Sequence, residues 1–306
     1  MTMNVFCTGV SGYIGGAVAV GLIRQGHRVS GLVRSDKAAA QAGALGVTPV
    51  LGALDDLDRL RAAAAQADAV IHTANAEHWA STMAMLEVLE NTGKAFVHTS
   101  GTSIVGRDTA GARGDAICDE SSLPDPPPAR ASRAALKDRV LAYAARGIRT
   151  CVICPGLIYG EGAGAKKHSA QVPWLIDLAK RSGGARHYGP GENIWSHVHI
   201  GDLVDLFLLA LASAPAGSFY FAENGENSMK EICEAINAKL GITQGTVAMS
   251  LEEAAREWGE GSARNTMGAN SRVRALRARN ELGWRPARPS LIEEIETGCY
   301  ALELAA

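Results

Sequence analysis

Asn4-Val5-Phe6-Cys7-Thr8-Gly9-Val10-Ser11-Gly12-Tyr13-Ile14-Gly15-Gly16 is the stretch on which the fold turns. Asn4–Thr8 reads as a short apolar strand, and an apolar helical run begins at Ile14. Between them glycines recur at three-residue spacing. Gly9 permits the tight turn, Gly12 lets a backbone approach a pyrophosphate, and Gly15 lets helix and strand pack closely. The free N–H groups and positive dipole end of the helix then face phosphates. Such a glycine string means little alone. Set between a first strand and a helix, with a second strand after Gly26-His27, it specifies a dinucleotide site. Ser11, Tyr13 and Ile14 share the turn and join Gly9, Gly12 and Gly15 as cofactor-contact candidates.

The second strand ends Gly31-Leu32-Val33-Arg34-Ser35. An NAD site places a carboxylate there for the ribose 2′-hydroxyl, whereas a 2′-phosphate calls for cationic and hydroxyl donors. Val33 stands where the acid is expected, and Arg34 and Ser35 follow at once. A guanidinium matches phosphate in a bidentate way, and Ser11 faces the same phosphate from the turn. The reading favours NADP over NAD.

Outward from the turn, β-branched runs alternate with alanine-rich helical stretches. Strands are expected at Asn4–Thr8, Arg28–Val33, Thr48–Leu51, Ala69–His72, Ala95–Thr99 and Arg149–Ile153. Helices are expected near Ile14–Gln25, Asp36–Ala42, Asp56–Ala64, Ser81–Glu90 and Arg130–Ala145. This is the α/β pattern of a doubly wound parallel sheet. Ser121–Pro128 is too rich in proline for helix or central strand and reads as a surface loop. Beyond Pro155 the chain turns glycine-rich, and helices at Lys230–Leu240 and Leu251–Trp258 suggest a smaller region. The division expected is a nucleotide domain over 1–155 and a mostly C-terminal α/β substrate region over 156–306. Within the latter, 190–212 return to the first domain.

A net charge of -2 over 306 residues gives no reason to expect nucleic acid or an anionic membrane as partner. Arg272, Arg274, Arg277 and Arg279 form a short basic stretch that reads as a solvated helix face. No hydrophobic run approaches the ~20 residues of a membrane span. Met1–Cys7 is too short for a signal core, so the six cysteines are expected as reduced thiols in a cytoplasmic protein. Cys151 and Cys154 have C-x-x-C spacing, but in a strand they point to opposite faces. No cluster has metal-ligand spacing, so no metal is expected.

Taken with a substrate region behind it, TGVSGYIGG resembles the start of the extended or atypical short-chain dehydrogenase/reductases. That superfamily has a Rossmann-type sheet and includes nucleotide-sugar epimerases and dihydroflavonol-reductase-like enzymes. Gly52-Ala53-Leu54-Asp55-Asp56 resembles its G-D-L-x-D, with Ala53 in place of the first Asp and Leu54 beside the adenine. Ala69-Val70-Ile71-His72-Thr73-Ala74 resembles the strand beneath the cofactor ribose, implying contacts from Thr73 and Ala74. Pro155-Gly156-Leu157-Ile158-Tyr159-Gly160 resembles the segment that meets the nicotinamide carboxamide, implying Pro155, Gly156, Leu157 and Ile158. Val198-His199-Ile200-Gly201-Asp202 resembles the V-H-x-x-D that leads back to the nucleotide domain.

The resemblance implies a Tyr-x-x-x-Lys pair and a Ser or Thr at an earlier strand end. Arg133-Ala134-Ala135-Leu136-Lys137 has the lysine, with Arg133 where the tyrosine belongs. Lys137 is then expected on the ribose and Arg133 toward an anionic substrate group. Thr99-Ser100-Gly101-Thr102-Ser103-Ile104-Val105-Gly106 resembles S-S-x-x-V-Y-G, with Gly101 at the hydroxyl position and Thr102 and Ser103 next. Tyr159, ahead of Tyr143, is the candidate replacement phenol, and His168, His187 and His197 fall in the expected substrate wall.

The function implied is an NADP-dependent oxidoreductase acting on a small carbonyl, alcohol or sugar-like substrate. Thr102, Ser103, Lys137 and Tyr159 would carry the catalysis, and Arg133 and His168 would meet the substrate. A non-catalytic NADP(H)-binding sensor and a nucleotide-sugar epimerase or dehydratase are the alternatives. A monomer or homodimer is expected.

Overall fold

A computed structural model describes residues 2–301 of the chain. Seven strands form its main sheet: β1 (Asn4–Thr8), β2 (Arg28–Val33), β3 (Thr48–Leu51), β4 (Ala69–His72), β5 (Ala95–Thr99), β6 (Arg149–Pro155) and β7 (Ser218–Ala222). They lie in the order β3-β2-β1-β4-β5-β6-β7, and every pairing is parallel. Sheets of this kind are covered on both faces, so their strands are apolar throughout. Phe6, Val70, Phe96 and Val152 are accordingly sealed from solvent. The strand order reverses between β1 and β4, which opens a crevice at their carboxyl ends.

The covering helices include α1 (Tyr13–Arg24), α2 (Asp36–Ala44), α3 (Leu57–Gln66), α4 (Trp79–Glu87), α5 (Ala131–Ala142), α6 (Gln171–Ser182), α7 (Ile200–Ser213), α8 (Met229–Lys239) and α9 (Leu251–Trp258). Five strands occupy the residues expected of them, and the sixth continues to Pro155. β7 escaped the sequence reading because SFYFA is a short apolar run with no period. It pairs with β6 at the edge of the main sheet, at residues beyond the expected 190–212. Conversely, Ile194–His199 lies outside the main sheet. It pairs with Leu157–Tyr159 in parallel and with Glu226–Ser228 in antiparallel fashion.

The C-terminal part is stitched to both regions. Trp284 is buried in the main core and donates its indole N–H to the Asp202 carbonyl at 2.8 Å. The buried Asp202 carboxylate accepts from the backbone N–H groups of Ala287 and Arg288 at 3.0 and 3.2 Å. The basic stretch also differs from the solvated face expected of it. Arg272 and Arg274 both pair with Glu226, at 2.6 and 3.0 Å, Arg277 with Glu281, and Arg279 with the buried Glu223. These arginines are internal ties.

Cys151 and Cys154 are free thiols buried in β6, and desolvation pushes each up to about 12. Two histidines lie just below the crevice, facing each other from β4 and β5 with ring centroids 5.3 Å apart. His72 exchanges a 2.6 Å hydrogen bond with Thr8, whereas neither ring nitrogen of His98 has a partner. Burial lowers His72 from 6.5 to about 4 and lowers His98 well below the usual range. Between these values the unfolded chain holds a proton that the folded chain lacks. Stability therefore falls as pH drops through the window from 6.5 to 4. At 1.36 kcal/mol per unit, His72 alone accounts for on the order of 3 kcal/mol. Urea unfolding at pH 7 and 4.5 should show the loss, and His98→Phe should reduce it. An unchanged loss in that variant would remove His98 from the account.

Candidate functional site

The turn after β1 closes on itself in a way that requires its glycines. Gly9 has a φ of +77°, which side chains other than glycine's rarely adopt. A Cβ on Gly15 would sit 2.3 Å from both the Gly9 carbonyl oxygen and Thr73 Oγ1. Thr73 is fixed by donating to the Thr8 carbonyl at 2.7 Å, so helix, turn and β4 interlock. Gly12 differs. A Cβ there would meet only the Gly9 oxygen, at 3.1 Å, because its other side opens on a groove of about 310 Å³.

Along the near side of this groove lie Gly9, Gly12, Tyr13, Ile14, Gly15 and Thr73. Its far side is made by the ends of β5 and β6, with Ser100, Gly101, Pro155, Gly156 and Ile158. Lys166, Ser169 and Gln171 close it from the segment leading into α6. That segment lies on the first turn of α1. Tyr13 donates to the Gly160 carbonyl at 2.7 Å, and the Gly160 N–H donates to Tyr300 at 3.0 Å. A Cβ on Gly164 would stand 2.7 Å from Gly16 Cα, so the two backbones touch.

The remaining cofactor candidates divide by their surroundings. Val33 is buried, and the adjoining Arg34 is exposed, with no hydrogen-bond or ion-pair partner among the described residues. Ser35 is committed elsewhere in part, its hydroxyl accepting from Ala38 N–H at 3.3 Å to cap α2. Ser11 is exposed in the turn. Leu54 packs against the main core. Ala74 is exposed, with its backbone N 2.9 Å from where a Gly9 Cβ would be. Leu157 is buried in the second core and does not line the groove.

The geometry separates the catalytic candidates more sharply. Ser103 accepts a hydrogen bond from Arg133 Nη1 at 3.1 Å. Arg133 also grips Glu77, its Nε and Nη2 both 3.0 Å from Oε1. The same Nη1 lies 3.4 Å from where a Cβ on Gly101 would be, which puts the guanidinium at the groove's rim. Thr102 turns inward; it is buried and its Oγ1 has no partner. Lys137 does not line the groove. Its ammonium is buried 2.5 Å from Asp138 and over the Phe219 ring, in a cleft under Leu123–Pro126. The helix presents i and i+4 on one face, but the proline loop covers the second of them.

Tyr159 is likewise corrected as a replacement phenol. It is fully buried, donates to the Pro289 carbonyl at 2.8 Å, and is pushed upward by burial. Tyr143 is buried with Arg139 and Arg146 over its ring. His187 and His197 are buried and bonded to Thr246 and Asn227 respectively. His168 sits beside the Tyr300 ring, one residue off the groove wall.

Sequence reasoning missed Ser100. It lines the groove, is 7% exposed, and its hydroxyl lies against the Cys154 thiol. The ungapped motif match pointed one residue onward, to Gly101. Glu77 and Lys166 lie in loops that carry no motif; only the structure brings them in.

Comparison with known proteins agrees with this architecture. The model of the NAD dependent epimerase/dehydratase family matches residues 5–220. An oxidase of Acremonium sp is 31% identical over 97% of this chain and 96% of its own. A 2-alkyl-3-oxoalkanoate reductase of Stenotrophomonas maltophilia is 31% identical over 83% of this chain and 81% of its own. A 4-hydroxy-2-methyl-3-oxo-4-farnesyl-3,4-dihydroquinoline-1-oxide ketoreductase of Stigmatella aurantiaca is 32% identical over 73% and 69%. In fold, the chain is similar to a UDP-glucose 4-epimerase from Thermotoga maritima, with a TM-score of 0.78 over 99% of both chains at 16% identity. No helix among the described residues is long and apolar enough to cross a membrane. A Rossmann-type sheet, a glycine cradle at its switch point and this match over most of the length lead to one statement: the chain belongs to the NAD dependent epimerase/dehydratase family, as an oxidoreductase-type enzyme.

Proposed function

We propose that the chain is an NADP-dependent carbonyl reductase working on small-molecule ketones or the corresponding alcohols. One observation carries this reading: a single groove runs from the glycine cradle to Ser100, just past the end of β5. The reductase and ketoreductase relatives support it, since both are named for 3-oxo compounds. A bound reduced nicotinamide supplies a hydride to a carbonyl carbon. Gly9, Gly12 and Gly15 hold the pyrophosphate against the start of α1, and Lys166 rather than Lys137 supplies the cation facing the cofactor. Ser100 donates its O–H to the carbonyl oxygen as negative charge develops there. Ser103, held by Arg133, relays a solvent proton to that oxygen. The carbon thus gains hydride and the oxygen a proton.

Arg34 selects the cofactor by meeting the 2′-phosphate with unused donors. A hydrogen bond to a charged group contributes about 1.5–3 kcal/mol, which corresponds to roughly a 10- to 100-fold affinity change. Arg34→Ala should therefore raise the Kd for NADPH by that factor and leave the Kd for NADH within about threefold. Nicotinamide fluorescence titration reads both. Equal losses for the two cofactors would remove Arg34 from the phosphate site.

A further inference from the structure

At the groove's rim Arg133 holds Glu77 and has Arg130 as a second cationic neighbour. Arg133 spends three N–H groups, two on Glu77 and one on Ser103, of the five a guanidinium carries. Arg130 stands at the N-cap of α5, three residues before Arg133 in the chain. Its charged neighbours are Arg133 and, against it, Glu77. Among the described residues its Nη1 reaches the adjoining Ala129 carbonyl, at 3.3 Å, and its Nε is shielded from solvent with no hydrogen-bond partner. Burial and Arg133 both lower its affinity for its proton. A guanidinium nevertheless stays charged, so the cluster keeps an excess of one positive charge with N–H donors left over. Leaving a buried charged donor unmet is costly, and an arriving acceptor recovers that cost.

We propose that Arg130 and Arg133 together form a carboxylate-binding subsite for the substrate, so that the ketone reduced here carries an acid group close to its carbonyl. This rests on the reductase reading above. The closeness follows from Arg133 Nη1 standing 3.4 Å from the Cβ position of Gly101, next to Ser100 on the groove wall. A planar carboxylate suits two guanidiniums, each of which presents a fork of donors. Lys137, paired with Asp138 under the proline loop, takes no part.

The test uses the full chain with 3-oxohexanoate and its methyl ester as substrates, and 3-hydroxyhexanoate and its methyl ester as calorimetric ligands of the NADP-loaded protein. The acid should exceed the ester at least tenfold in kcat/KM and in affinity. Arg130→Ala should erase that preference by weakening the acid and leave the ester within about threefold; among the described residues Arg130 makes no side-chain hydrogen bond or salt bridge, so this variant breaks none. Arg130→Lys should recover part of the preference. Equal handling of acid and ester by the wild type overturns the subsite, as does an equal loss of both in Arg130→Ala. Inorganic phosphate serves as a competitor: if it displaces NADPH through Arg130 and leaves the hydroxy acid bound, the arginines serve the cofactor and the proposal is wrong. If neither ketone turns over, the reductase reading fails, while the calorimetric comparison still decides the subsite.

Discussion

Gly12→Val is expected to fold normally and to lose at least about 100-fold in affinity for NADPH, roughly 2.7 kcal/mol. The two halves of this expectation come from different sides of one residue. Gly12 has φ -87° and ψ 174°, an extended conformation that valine adopts readily. Toward the protein, a new Cβ would meet only the Gly9 oxygen at 3.1 Å, a contact that a small shift relieves. Toward the groove, the isopropyl group would fill the space where a pyrophosphate must approach the N-terminus of α1. Thermal unfolding without cofactor should stay near wild type, and titration should show the loss. Gly15→Val makes the contrast, because its Cβ would collide with two atoms at 2.3 Å and should disrupt folding itself. If Gly12→Val bound NADPH as wild type does, the cradle would not be the phosphate site.

The legible part of this protein was the part with strong local rules. Strand, glycine turn and helix at residues 4–24 follow from spacing. The strands beneath the groove were readable as short apolar runs between turn residues. What stayed hidden depends on contacts between distant segments. Glu77 meets Arg133 across 56 residues and Ser103 meets it across 30, so no spacing in sequence announces the cluster. Lys137 sits on the helix as expected, but the loop through Leu123–Pro126 covers it, and a loop's path is not written in its composition. Tyr159 looked available because it follows the groove segment. Strand alternation sends its ring into the second core instead, beside His197 and His199. Ser100 shows the limit of motif matching. The match fixed the strand end correctly and then passed over the serine that lines the groove.

Ser100→Ala carries the second large effect. Removing one preorganised donor to a developing oxyanion costs about 10²–10³ in kcat. The same change should not destabilise the fold. The hydroxyl is buried beside the Cys154 thiol, a weak hydrogen-bonding group, so deleting it removes a desolvation cost and forfeits little. The expected result is a Tm equal to or above wild type together with a rate lower by that factor. A structural serine would behave in the opposite manner, with Tm falling and the rate kept. Thr102→Ala, at the buried and unpartnered Thr102 hydroxyl outside the groove, is the control and should leave the rate nearly unchanged.

Hydride transfer in this groove can be followed with NADPH deuterated at nicotinamide C4 and a 3-oxo substrate, for the wild type and Ser100→Ala. Deuterium should appear on the former carbonyl carbon from one face of the nicotinamide only, at a rate reduced about 10²–10³ in the variant. NADPH that binds tightly while no deuterium reaches any carbonyl would show that no hydride is transferred here.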